Sequence, residues 1–191
     1  MFRPIANTRQ ATGIPTGRLA IWWLLGSEIV IFGGILVPYI MHRLGHGDDF
    51  AQQAAHTSVL AGGFNTFVLL TSSLSAVMAH VAAENGDGKK AAKFLWLTVL
   101  GGGIFLVVKS IEWSTEISHG YTITAHPFWS SYYTAAGVHG THVISGMILM
   151  GYAAINVAKG KFMNRVELVA IYWHFVDLVW IFLFPLLYIA K

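Results

Sequence analysis

"SYYTAAGVHGTHVISGMILMGYAAINVA", residues 131–158, runs for 28 residues without an Asp, Glu, Lys or Arg. A helix crossing the roughly 30 Å hydrocarbon core of a bilayer needs about 20 predominantly apolar residues, so this stretch reads as a transmembrane span. Four more windows qualify, at 19–41, 57–83, 94–113 and 168–190, and the five together take up most of the chain. Composition agrees: 55% of residues are hydrophobic, 11% are charged and the mean hydropathy is +0.59. A soluble domain carries about a quarter charged residues. The expectation is an all-α integral membrane bundle of five helices in one domain over 1–191, with 1–18 as a tail. The apolar run of the first span is too long for a cleavable signal, and no small-residue cleavage site follows it, so it is expected to remain as an anchor.

The basic residues set an orientation. Arg3, Arg9 and Arg18 precede the first span, Lys89, Lys90 and Lys93 lie in the 84–93 loop, and Lys159, Lys161 and Arg165 lie in the 159–167 loop. The intervening segments carry only Arg43 and the terminal Lys191. By the positive-inside rule the N-terminus is cytoplasmic and the C-terminus external. Basic residues so dispersed form no nucleic-acid footprint, so no nucleic-acid partner is expected. Trp22, Trp23, Trp96 and Trp173 fall near one set of span ends and Trp113 and Trp129 near the other, where belt or packing roles suffice. The chain has no cysteine. That excludes disulfides, thiolate metal sites, covalent c-type haem and a sulfur-bridged dinuclear copper centre.

Ionisable groups inside spans are costly and mark functional positions. Here they are Glu28, Lys109, Glu112, His139, His142, His174 and Asp177, with His80 near a helix end. At about 1.5 Å of rise per residue, Glu28, His142 and Asp177 come to roughly the same midplane depth. Lys109 with Glu112, His139 with His142, and His174 with Asp177 are each three apart and so share helix faces. Ala136 and Gly140 beside His139, with Gly26, Gly33, Gly34 and Gly101 to Gly103, are expected to admit close helix approach. Three readings follow. Two histidines one turn apart offer at most two of the ligands a metal needs, and His80 lies at the wrong depth to share a haem with His139. A relay through Glu28, His142 and Asp177 is allowed by depth. The default is a polar seam in which buried groups hydrogen-bond one another across spans.

Longer motifs resolve more than spacing does. "YYTAAGVHGTHVISG" (132–146) and "ELVAIYWHFVDLVWIFLF" (167–184) closely resemble subunit III of the haem-copper terminal oxidases. "LGSEIVIFG" (25–33), "FNTFVLLTSS" (64–73) and "GGGIFLVVKSIEW" (101–113) extend the resemblance in family order. The resemblance covers nearly the whole chain and is to the short, five-span bacterial form, which lacks the two helices that wall a lipid-filled cleft in longer members. It implies a multi-pass subunit of the bacterial plasma membrane that docks on subunits I and II. Haem and copper are then held by those partners, none in this chain, and phospholipid is bound. The complex reduces oxygen to water and pumps protons with electrons from cytochrome c or a quinol. This subunit would stabilise subunit I and support proton uptake without catalytic residues of its own. Glu28 matches the family's carbodiimide-reactive carboxylate, and His139, His142, Glu167, His174 and Asp177 match its signature positions. Lys109 stands where the family usually has glutamine. The residues alone also admit a stand-alone transporter or channel built on the Glu28, His142 and Asp177 relay, or a di-haem cytochrome with poorly placed ligands.

Overall fold

The computed structural model describes residues 16–189. The expectations that rest on Arg3, Arg9 and Lys191, and the last position of the 168–190 window, lie outside them. The described chain is helical: α1 (Thr16–Gly45), α2 (Gly47–Ala54), α3 (Val59–Glu84), α4 (Gly88–Ser118), α5 (Pro127–Ala158) and α6 (Val166–Phe184). A short 3-10 turn, Met163–Arg165, precedes α6, and a π-helical turn, Pro185–Ile189, continues it. Five of these segments are long and apolar enough to cross a membrane. α1, α4 and α5 overrun the windows read from sequence because further turns at their ends remain helical, whereas α3 begins two residues inside its window and α6 gives way to the π turn at Pro185. α4 gains its first turn from Asp87, whose carboxylate accepts the Lys90 amide at 3.0 Å. α5 starts at Pro127, in the first turn where proline's missing N–H costs nothing. The helix α2 was not foreseen, because the polar segment 42–56 carries no apolar window.

α3 to α6 form the compact part, with α3 against α4 and α4 against α5 as the largest interfaces. Small residues make this possible at particular places. A methyl group on Gly101 would come within 2.6 Å of the Ser72 Cβ, and one on Gly146 within 2.7 Å of the Trp173 ring. Both glycines therefore stand where a neighbouring helix lays a side chain against the bare backbone. Gly26, Gly33 and Gly34 do not: nothing lies within 4 Å of a methyl built on any of them, because Gly26 and Gly34 are exposed and Gly33 borders an open groove between α1 and α6. Gly140 likewise has only a Leu106 carbon at 4.0 Å. Two tryptophans read as belt residues are core residues. Trp173 and Trp129 are fully buried, their indole N–H groups donating to Ser72 Oγ at 3.0 Å and Gln53 Oε1 at 2.9 Å. Trp22, Trp23 and Trp96 remain exposed on the bundle surface.

α1 stands at the edge. Its buried residues are Leu25, Glu28, Phe32 and Tyr39, a single stripe that faces α5 and α6. Polar ties at three levels hold it: Arg18 to Glu167 at 2.6 Å at one end, Glu28 to His142 midway, and at the other the Tyr39 hydroxyl and the Arg43 guanidinium, which donate to the Leu186 carbonyl at 2.7 and 3.3 Å. α2 straps that second end, where Asp49 meets His126 Nε2 at 2.7 Å.

Candidate functional site

The run "KSIEWSTE", 109–116, puts Lys109, Glu112 and Glu116 on one face of α4, all three buried. That face meets Tyr132 of α5 and Tyr188 of the final π turn. The Lys109 ammonium has three donors and uses all of them, on Glu112 Oε2 at 3.0 Å, Tyr132 Oη at 2.9 Å and Tyr188 Oη at 2.6 Å. Tyr132 donates to Glu116 Oε1 and Tyr188 to Glu112 Oε2, both at 3.0 Å. The rings of Tyr132, Tyr188, Trp113 and Trp180 surround the ammonium at 4.7 to 5.7 Å. Tyr133 lies 3.4 Å from Glu116 Oε2 but spends its proton on the Tyr121 carbonyl at 2.8 Å. One cation thus serves two carboxylates in a buried, aromatic-walled cluster that ties α4, α5 and the end of α6 together. The Lys109 and Glu112 pairing follows from their spacing. Glu116 was legible as a further position on the same face, one heptad from Lys109, but Tyr132 and Tyr188 were not, since the contacts span 23 and 79 residues.

The second polar constellation joins α1 to α5. His142 Nε2 lies 2.8 Å from Glu28 Oε2, and His142 Nδ1 lies 2.7 Å from the Val138 carbonyl. A carbonyl only accepts, so Nδ1 carries a hydrogen. The 2.8 Å contact then needs one more proton, either on the carboxyl or on Nε2. The pair shares that proton, and either location keeps the bond. The depth reading of Glu28 and His142 therefore corresponds to a direct contact across spans. Asp177 is not joined to it. The Ser73 hydroxyl beside Asp177 lies 2.5 Å from His174 Nδ1, and neither Asp177 oxygen has a hydrogen-bond partner. His174 is thus oriented by serine from α3, not by the aspartate one turn on.

His139 differs from the expected interhelical hydrogen bond. Its ring is fully buried, with both nitrogens unpartnered. It packs parallel to Trp180 at 5.3 Å and edge-on to Phe105 at 5.4 Å. His139 and His142 diverge because three residues leave them about 60° apart around the helix axis, enough for one to face α4 and α6 and the other α1. Among the described residues no group of three or more His, Cys, Asp or Glu side chains could hold a metal ion. Between α1 and α6 runs an apolar groove of about 340 Å³, lined by Ile29, Phe32, Leu36, Phe175, Leu178 and Phe182 among others.

Comparison with known proteins places these features in a family context. Residues 18–191 match the family model described as cytochrome c oxidase subunit III. The chain is 33% identical over 174 residues to the cytochrome c oxidase subunit 3 of Corynebacterium diphtheriae, covering 87% of this chain and 84% of that one. It is 32% identical over 193 residues to the subunit 3 of Bacillus sp. strain PS3, covering 97% and 92%. With the subunit 3 of Thermostichus vulcanus it shares 31% identity over 176 residues, 90% of this chain and 86% of the relative.

Proposed function

Since this chain belongs to the cytochrome c oxidase subunit III family, we propose that it is the non-redox accessory subunit of a proton-pumping terminal oxidase. In this reading it sits in a bacterial plasma membrane with its N-terminus cytoplasmic and its C-terminus external. It docks on subunits I and II, which hold the haem and copper and receive electrons from cytochrome c or a quinol. Its tasks are to stabilise subunit I, bind phospholipid and support proton uptake.

The observation that carries the reading is how the buried ionisable groups are used. Lys109, Glu112, Glu116, Glu28 and His142 bond to one another or to tyrosines across helices, as a scaffold requires. The apolar groove between α1 and α6 suits acyl chains, and α1 leaves one broad apolar flank, including Trp23, Val30, Val37 and Leu44, open to lipid or to a partner helix. The orientation is supported by Arg18, Lys89, Lys90, Lys93, Lys159, Lys161 and Arg165, which belong to the helix ends and turns of one side.

The test is purification through a tag on this chain in mild detergent, followed by identification of partners and a visible spectrum. A haem-bearing partner is expected in the eluate, and this chain separated from it is expected to be colourless. A colourless homo-oligomer that conducts ions would overturn the proposal in favour of a stand-alone channel.

A further inference from the structure

His174 is bonded from one side only. Its Nδ1 lies 2.5 Å from the Ser73 hydroxyl of α3, and its Nε2 has no partner among the described residues. Unlike the two nitrogens of His139, Nε2 is not enclosed within the bundle, and the residue as a whole is only partly buried. α1 packs on α5 and α6, and α3 packs on α4 and α6, so α6 shows a strip of surface between α1 and α3. Residues 174, 178 and 181 share one face of α6 by their spacing, as 70, 73 and 77 do on α3. The contact of Ser73 with His174 sets these two faces side by side. Leu178 and Ile181 of the one and Leu70 and Val77 of the other are exposed, so the strip is apolar except at its imidazole.

The imidazole lies at hydrocarbon depth. Counted from Val166, where α6 begins, His174 is about 12 Å along the axis, and Ser73 is about 16 Å from Glu84, where α3 ends. In a core roughly 30 Å thick both are below the headgroups. Acyl chains neither donate nor accept hydrogen bonds, so Nε2 needs a partner supplied from outside the chain. Asp177, one turn on, is buried with neither carboxyl oxygen bonded, and the Ser73 hydroxyl stands beside it too. That hydroxyl has one proton for two neighbours. Given to His174 Nδ1, it leaves the hydrogen on Nε2, and the ring requires an acceptor. Directed to Asp177, it lets its oxygen accept from Nδ1–H, and the bare Nε2 requires a donor. A neutral group that both donates and accepts suits either state.

We propose that the strip around His174 is the docking face for a transmembrane helix of a neighbouring oxidase subunit, which meets Nε2 with a hydroxyl or carboxamide side chain. A helix brings such a group to this depth with its own backbone already hydrogen-bonded, which a lipid headgroup cannot do. Its apolar side chains cover Leu70, Val77, Leu178 and Ile181, and one interhelical hydrogen bond at their centre fixes the register. The inference rests on the reading of this chain as an accessory oxidase subunit and names the face by which it attaches.

Photo-crosslinking in the intact complex provides the test, with Val77, Leu178 or Val107 replaced by p-benzoylphenylalanine. Val107 is exposed on α4, which packs on α3 and α5 across the bundle from α6. The Val77 and Leu178 replacements are expected to give adducts with another oxidase subunit, and the Val107 replacement none. Adducts with lipid alone, or with a second copy of this chain, overturn the proposal. The hydrogen bond is read by detergent challenge. Ser73→Ala and His174→Phe both lose the contact between α3 and α6, but only the second loses Nε2. His174→Phe is expected to release the chain from the complex about threefold to tenfold more readily than Ser73→Ala, the range of one interhelical hydrogen bond, and His174→Gln to recover most of that difference. Equal release of the phenylalanine and alanine variants overturns the proposal, and crosslinking decides the matter if His174→Phe fails to assemble. Adducts with an oxidase subunit from the Val107 replacement alone refute this face and leave the accessory reading standing. Purified chain without any haem-bearing partner counts against that reading itself.

Discussion

The bundle holds itself together by two different polar devices. The Lys109 cluster sits where α4, α5 and the end of α6 meet, joins five side chains through a branched set of hydrogen bonds and is walled by aromatic rings. The Glu28 and His142 pair sits at the edge, joins one peripheral helix to the rest and consists of a single contact. The first is a network in which removing the cation strands two carboxylates; the second is one of several ties on a peripheral helix, and its loss loosens that helix alone. The cost of an ionisable residue within a span thus depends on how many others are left unpaired when it goes.

Lys109→Met is the strongest challenge to this contrast. It is expected to destabilise the subunit by about 3 to 5 kcal/mol, because the buried carboxylates lose their cation. Adding Glu112→Leu and Glu116→Leu is expected to restore much of the loss, measured by thermal unfolding of the detergent-purified complex. A Lys109→Met protein as stable as the parent would show that the network is not a unit.

Gly146→Ala comes next. The added methyl meets the Trp173 ring at 2.7 Å, so overpacking of about 1 to 3 kcal/mol is expected in the same assay. Gly33→Ala, with open space around it, is expected to leave unfolding unchanged. Equal effects would contradict the assignment of α1 to the periphery.

His142→Leu is expected to cost about 1 kcal/mol, the scale of one interhelical hydrogen bond in a membrane protein. The loss is expected to fall on α1 alone, visible as faster hydrogen exchange there with α3 to α5 unaffected. Glu28→Gln is expected to weaken carbodiimide labelling yet keep a bond to His142 Nε2 through its amide, with no change in the haem spectrum of the complex. Loosening spread evenly over all helices would remove the distinction between edge and centre.

The smallest effect is expected at His139. With both ring nitrogens unpartnered and its faces against Trp180 and Phe105, His139→Phe keeps the packing and removes polar atoms that bond nothing. Stability is expected to stay within about 1 kcal/mol or to rise. A large loss would mean that the imidazole has a partner beyond this chain.

What could be read from sequence and what could not divide along a physical line. Depth along a helix is fixed by a constant rise, so the levels of Glu28 and His142 could be worked out before their contact was seen. Neighbours on one helix are fixed by its period, so Lys109 and Glu112 could be paired. Azimuth relative to other helices is fixed by neither. It decides that His139 faces Trp180 while His142 faces Glu28, that Gly101 is an interface and Gly33 is not, and that Trp173 is core. The meeting of Tyr132 and Tyr188 at Lys109 depends on how three helices cross, and on the π turn that begins at Pro185. No local pattern encodes that.

The tie between Glu28 and His142 also carries a schedule. α1 is synthesised first, and its midspan partner follows 114 residues later. At about 5 to 20 residues per second of translation, roughly 6 to 23 seconds pass before the histidine exists. Through that interval α1 has neither His142 nor Glu167 to hold it, and the Leu186 carbonyl that receives Tyr39 arrives later still. The first of the described helices is therefore the one that waits longest for its polar partners, across 147 residues for Tyr39 against 79 for Lys109 and Tyr188.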